Sequence, residues 1–102
     1  MTPDKAEKAL NYLAATDESY AHAKTGVKSI EYRLKVQKAL NYLECEGTVA
    51  EREAQAMAMK SYTDLVDDHE DLMLELETLG AKRERARLTI DLFRTLEASR
   101  RQ

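Results

Sequence analysis

Near the middle of a 102-residue chain filled with strong helix formers, Gly47 stands as the one clear helix breaker. Glycine takes the left-handed backbone that ends a helix at little cost. Thr48 follows it, with Glu51 three residues on, which reads as a capping box for the first turn of a new helix. One helix therefore ends and another begins across a turn at 46–48. Such a junction folds the chain back on itself as a long antiparallel, coiled-coil-like αα-hairpin. The composition agrees: 34% of residues are charged and 43% hydrophobic, with three Gly and one Pro. Runs of alternating β-branched residues are missing, so the expected fold is all-α, in a single domain over 1–102. At this length the core is thin unless the chain oligomerises.

Taken in order, Thr2 and Pro3 open a short helix expected over about 3–15. Thr16 and Asp17 offer a second N-cap, and a second helix is expected over about 17–46. The hexapeptide KALNYL occurs at 8–13 and again at 38–43. On one straight helix a 30-residue offset would rotate the copies by roughly 120°, so they would meet different neighbours; the repeat thus favours two separate helices. Ala23, Val27, Ile30 and Leu34 form an apolar stripe that then shifts to Val36, Leu40 and Leu43. Gly26 within it suggests a close helix crossing.

Beyond the turn the pattern is clearest. Tyr62, Leu65, His69, Leu72, Leu76 and Leu79 keep strict 4-3 spacing, the a/d seam of a heptad. That register continues through Arg83, Ala86, Ile90 and Phe93, predicting one helix over about 49–99 with a candidate bend at Gly80. Pivoting at Gly47, residues 17–46 cover only 49–78. The end, 79–102, must find the first helix, another chain or nothing. Its wide apolar arc is not left in water without cause. The expectation is a homodimer, a bundle of two hairpins, with Tyr62, Leu65, His69, Leu72, Leu76, Leu79 and Ile90 as the oligomer seam.

Charge is unevenly spread. Residues 1–43 carry +2, residues 44–80 carry −9 and residues 81–102 carry +4. Lys24, Lys28, Arg33, Lys35 and Lys38 are expected to face the acidic surface of the long helix across the hairpin. The single Cys45 excludes an intrachain disulfide and fits a reducing cytosol. With no signal peptide and no apolar run of membrane-spanning length, a soluble cytoplasmic protein is expected.

Catalysis finds no support. Cys45 lacks a base and an orienting group, and the scattered glycines make no phosphate loop. Asp64, Asp67, Asp68, His69, Glu70 and Asp71 lack the Glu-x-x-His spacing of di-iron bundles, and His69 falls at an a position. No metal, cofactor, small-molecule substrate or membrane partner is expected, and His22 reads as a surface residue.

The functional hint lies at the C-terminus. Arg83, Arg87, Arg94 and Arg101 lie within about 40° on a helical wheel, beside an apolar arc. Such a stripe serves either salt bridges to a partner helix or contact with nucleic-acid phosphates. Residues 88–101, LTIDLFRTLEASRR, following a long charged helix, resemble the C-terminus of small phage and prophage proteins. Phe93 stands where Trp is expected in some relatives. That family is largely uncharacterised and tends to be encoded near replication and recombination genes. The resemblance implies a phage accessory protein acting in the host cytoplasm, docking a replication or recombination protein, or DNA, through this helix. The expected contacts are Arg83, Arg87, Arg94, Arg100 and Arg101, with Phe93 and Leu96 as apolar anchors. An alternative is an inhibitor of a host nucleic-acid enzyme whose acidic face, Asp64 to Glu77, mimics a phosphate backbone. A structural coiled-coil spacer is a further alternative.

Overall fold

The computed structural model describes residues 2–101, which form an all-α antiparallel hairpin. Helix α1 spans Pro3–Glu44, α2 Val49–Ala58 and α3 Lys60–Arg100. Among the described residues no helix is long and apolar enough to cross a membrane. The chain divides into two compact units. One comprises residues 1–22 and 76–102, the other residues 23–75.

The turn forms as its residues dictate. Gly47 has φ 121°, and the Glu51 carboxylate occupies the space a Cβ would need there. Thr48 is the N-cap of α2, its Oγ1 accepting from the Glu51 amide at 3.2 Å. Helix α1 stops at Glu44, slightly before the expected 46. Arg52 donates to the Cys45 carbonyl at 2.9 Å and stacks over the Tyr42 ring at 4.8 Å. A side chain of the incoming helix thus satisfies a carbonyl that the outgoing helix leaves open.

Two expectations about helix boundaries are corrected. The helices expected over 3–15 and 17–46 are one. Thr16 does not cap forward: its hydroxyl donates back to the Tyr12 carbonyl at 2.8 Å, a bond made inside a continuing helix. The KALNYL repeat argued the wrong way for the right geometrical reason. Its two copies do present different faces: Ala9 is buried where Ala39 is exposed, and Asn41 is buried where Asn11 is exposed. A continuous helix produces this, because a 30-residue offset is not a whole number of turns.

Conversely, the helix expected over 49–99 is two. Met59 breaks it with an extended backbone, φ −68° and ψ 144°, and its carbonyl accepts from the Tyr62 and Thr63 amides that start α3. Neither Gly nor Pro marks the site; what stabilises the broken end lies on α1. Ala56 sits in the last turn of α2, where carbonyls lose their helical partners, and the Asn41 amide donates to the Ala56 carbonyl at 3.0 Å. Asn41 also bonds Ser61 and accepts from Gln37 at 2.9 Å. This buried side chain is fully satisfied, and it holds the broken end of α2 against α1. At Gly80, in contrast, α3 runs on without interruption.

In the unit of residues 23–75, the α1 seam is Ala23, Val27, Ile30 and Leu34, as expected. It then continues on Gln37, Asn41 and Cys45 rather than shifting, so Val36, Leu40 and Leu43 point to solvent. Leu72 of α3 lies 3.6 Å from where a Gly26 Cβ would be, an ordinary van der Waals distance that does not require glycine there. In the other unit Ala9, Leu13, Thr16 and Tyr20 form the α1 side of the seam. Residues 3–22 of α1 thus cover the end of α3 that a shorter arm would have left bare. Tyr62, Leu65, His69, Leu72, Leu76, Leu79 and Ile90 are all half-buried within the single chain. What was expected to be an oligomer seam closes inside the hairpin.

Candidate functional site

Arg83 is the most displaced of the expected contact residues. It occupies the heptad position of an apolar side chain, and the hairpin accommodates it as a polar bracket. One terminal nitrogen donates to the Leu13 carbonyl at 2.9 Å and to Thr16 Oγ1 at 2.7 Å; the other meets Asp17 Oδ1 at 2.7 Å. Its guanidinium lies 4.9 Å from the Tyr20 ring centre, and the side chain is only 18% exposed. A guanidinium with its donors committed inside the hairpin is no docking group. Its place among the expected contacts is withdrawn.

The other arginines divide further. Arg87 pairs with Glu84 at 3.3 Å and Arg100 with Glu97 at 3.1 Å, both within one helix turn. Exposed pairs of this kind are worth little and yield readily to another anion. Arg94 and Arg101 are exposed and line a shallow depression with Phe93, Glu97 and Ala98. Phe93 itself is half-buried at a seam position, so it is not an outward anchor. Leu96 is exposed, on the side of α3 that also presents Leu92.

A second basic feature, not anticipated, is better assembled. Lys5, Lys8 and Tyr12 of α1 and Lys82, Arg85 and Thr89 of α3 line one groove of about 330 Å³. Its floor is Ala9 and Ala86, both buried and both small. Four cations, two from each helix, therefore line one groove, and among the described residues no carboxylate lines it. A cleft lined by one sign of charge concentrates counter-ions of the other. Lysines supply mobile point charges, while the Arg85 guanidinium can grip a phosphate through two parallel hydrogen bonds. The sequence contained half the signal, because Lys5/Lys8 and Lys82/Arg85 are each spaced i, i+3 on one helix face. The missing half was register: only a continuous α1 brings Ala9 opposite Ala86.

In the unit of residues 23–75, Asp64, Asp67, Asp68, Glu70, Asp71 and Glu75 are exposed. Asp64 meets Lys60 at 2.7 Å, and its hydrogen bond and charge hold the Lys60 ammonium above its ordinary pKa. His69 reaches Glu31 of α1 at 3.5 Å. Among the described residues, no group of three His, Cys, Asp or Glu is placed to hold a metal ion. Cys45 is buried, its thiol donating to the Asn41 carbonyl.

No family model, no curated protein and no solved structure matches this chain.

Proposed function

We propose that this is a non-enzymatic accessory protein that acts in DNA replication or recombination by contacting nucleic-acid phosphates. The contact surface is the groove of Lys5, Lys8, Lys82 and Arg85, with Arg94 and Arg101 as further exposed cations. Four cations lining one groove, with no carboxylate beside them among the described residues, carry this reading. The phage replication or recombination setting rests on the resemblance of residues 88–101. Contacts of this kind position a protein on a backbone without reading bases, so binding should be tolerant of sequence.

A salt series of gel shifts with single- and double-stranded DNA tests it. With about four phosphates neutralised on duplex, log K should fall against log salt with a slope near −3.6, roughly a hundredfold loss from 50 to 200 mM. Lys8→Glu with Arg85→Glu should abolish the shift, whereas Arg83→Gln should leave it nearly unchanged. Retention of binding by the double variant, with its helicity intact, would sink the reading.

The runner-up draws on the exposed carboxylates Asp67, Asp68, Asp71 and Glu75. Carboxylates along one helix can stand in for a phosphate row and inhibit a nucleic-acid enzyme. It predicts no DNA binding, but competition with DNA for a basic protein. A replication or recombination protein as direct partner would appear as complex formation that survives Lys8→Glu with Arg85→Glu.

A further inference from the structure

We infer that a second copy of this chain docks on the unit of residues 23–75, along the outer face of α1 and the groove beside it. The starting observation is that α1 is apolar twice over in this unit. Ala23, Val27, Ile30 and Leu34 face α3. Tyr32, Val36, Leu40 and Leu43 are 70%, 40%, 53% and 75% exposed. At 100° per residue these four lie within about 80° of one another. A helix with one apolar stripe needs one neighbour; a second stripe calls for another neighbour.

The groove at the edge of this ridge says which neighbour. It is lined by Tyr32, Arg33, Val36 and Gln37 of α1 and by Ser61, Asp64 and Leu65 of α3. Tyr32, Val36 and Leu65 give it apolar surface, and its two helices bring opposite charges, Arg33 on one and Asp64 on the other. Asp64 bonds Lys60 through one oxygen, yet its side chain remains 55% exposed. A twofold axis running along the groove, between the two helices, sets Arg33 of each copy against Asp64 of the other. That reciprocity is what an isologous interface requires. A binding face for an unrelated protein has no reason to be self-complementary.

Area points the same way. A compact chain of 11.6 kDa exposes about 5,800 Å². This chain exposes 7653 Å², an excess of roughly 1,800 Å². A standard interface takes about 800 Å² from each partner, and an obligate homodimer about 1,000–2,500 Å². Inside the chain the buried apolar residues are mostly small (Ala9, Ala23, Val27, Ile30, Cys45, Ala56, Ala86), and among the described residues no large side chain is fully buried. Pairing two hairpins supplies the missing burial.

Sedimentation equilibrium on the full chain at micromolar concentration, with circular dichroism in parallel, tests this. The unaltered protein should have twice the 11.6 kDa chain mass. Val36→Glu with Leu40→Glu should give the single-chain mass with helicity kept, since both positions are exposed. Should that variant unfold, the charge pair still decides. Arg33→Glu and Asp64→Arg should each raise the dimer dissociation constant about tenfold, a coupling of ordinary size for close charges. Combining them should restore it. A single-chain mass for the unaltered protein would overturn the inference. So would a dimer indifferent to the glutamates, open-ended assembly, or a double charge swap no better than its singles. DNA binding by a single-chain variant would leave the phosphate-contact reading standing, so the two proposals fail separately.

Discussion

Each unit of this hairpin carries a polar side chain at a seam position, and the two are satisfied by opposite chemistry. Arg83, in the unit of residues 1–22 and 76–102, is a charge held by a carbonyl, a hydroxyl and a carboxylate. Its carboxylate, Asp17, is 67% exposed, so this ion pair is well screened. Asn41, in the unit of residues 23–75, is neutral and 3% exposed, and one of its partners is a backbone carbonyl that no substitution can remove. Both tie one helix to the other through directional hydrogen bonds. They differ in what replacement leaves behind. An apolar residue at 83 leaves groups near solvent that water can satisfy. An apolar residue at 41 orphans the carbonyl of Ala56, which is fully buried.

The sharpest break in this comparison should come from Asn41→Leu, with an expected loss of about 2–3 kcal/mol from an unsatisfied buried carbonyl and a disturbed α2. Urea unfolding measures it, and a loss below about 1 kcal/mol would mean that α2 is held by something else. Arg83→Ala should cost about 1–2 kcal/mol through lost hydrogen bonds and lost cover over Tyr20. Arg83→Leu should recover most of that, because an apolar side chain suits the heptad and replacing an ion pair is often neutral. If Arg83→Leu proved as damaging as Asn41→Leu, the contrast between the two units would collapse. Thr48→Ala removes the cap of α2 and should cost about 1 kcal/mol. Smallest of all, Arg100→Gln should change stability by less than about 0.5 kcal/mol, since its pair with Glu97 is exposed. A larger effect would show that the C-terminal turn of α3 is more firmly held than its exposure implies.

Gross charge separates the units less than the linear sequence suggested. The unit of residues 1–22 and 76–102 holds nine Lys/Arg against eight Asp/Glu, and the other holds seven against eleven. Nearly neutral on balance, the first unit owes its basic character to placement. Lys5, Lys8, Lys82 and Arg85 gather on one groove, while several carboxylates are spent on helix-turn pairs or on Arg83.

Local and periodic information settled much of this molecule from the sequence alone. The turn was readable because Gly47 and Thr48 act through their own backbone and side chain on residues at most four away. The α3 seam was readable from Tyr62 to Phe93 because the heptad writes burial into spacing. That signal also put Arg83 and His69 at seam positions, although the sequence reading made His69 part of a seam between chains and Arg83 an outward contact. Where tertiary structure decided, the deciding partner was distant in sequence. The break at Met59 frees the Ala56 carbonyl, and the group that takes it up, Asn41, lies 15 residues away on another helix. Thr16 stays helical by bonding backward, and it then accepts from Arg83, 67 residues on. Val36 and Leu40 lie off the seam because positions 37, 41 and 45 continue the three-and-four spacing that 23, 27, 30 and 34 begin. The basic groove exists only once Ala9 and Ala86 meet. Spacing along one helix reveals which residues share a face. Which face meets which, and at what register, is a property of the pair, and one strand of the pair does not contain it.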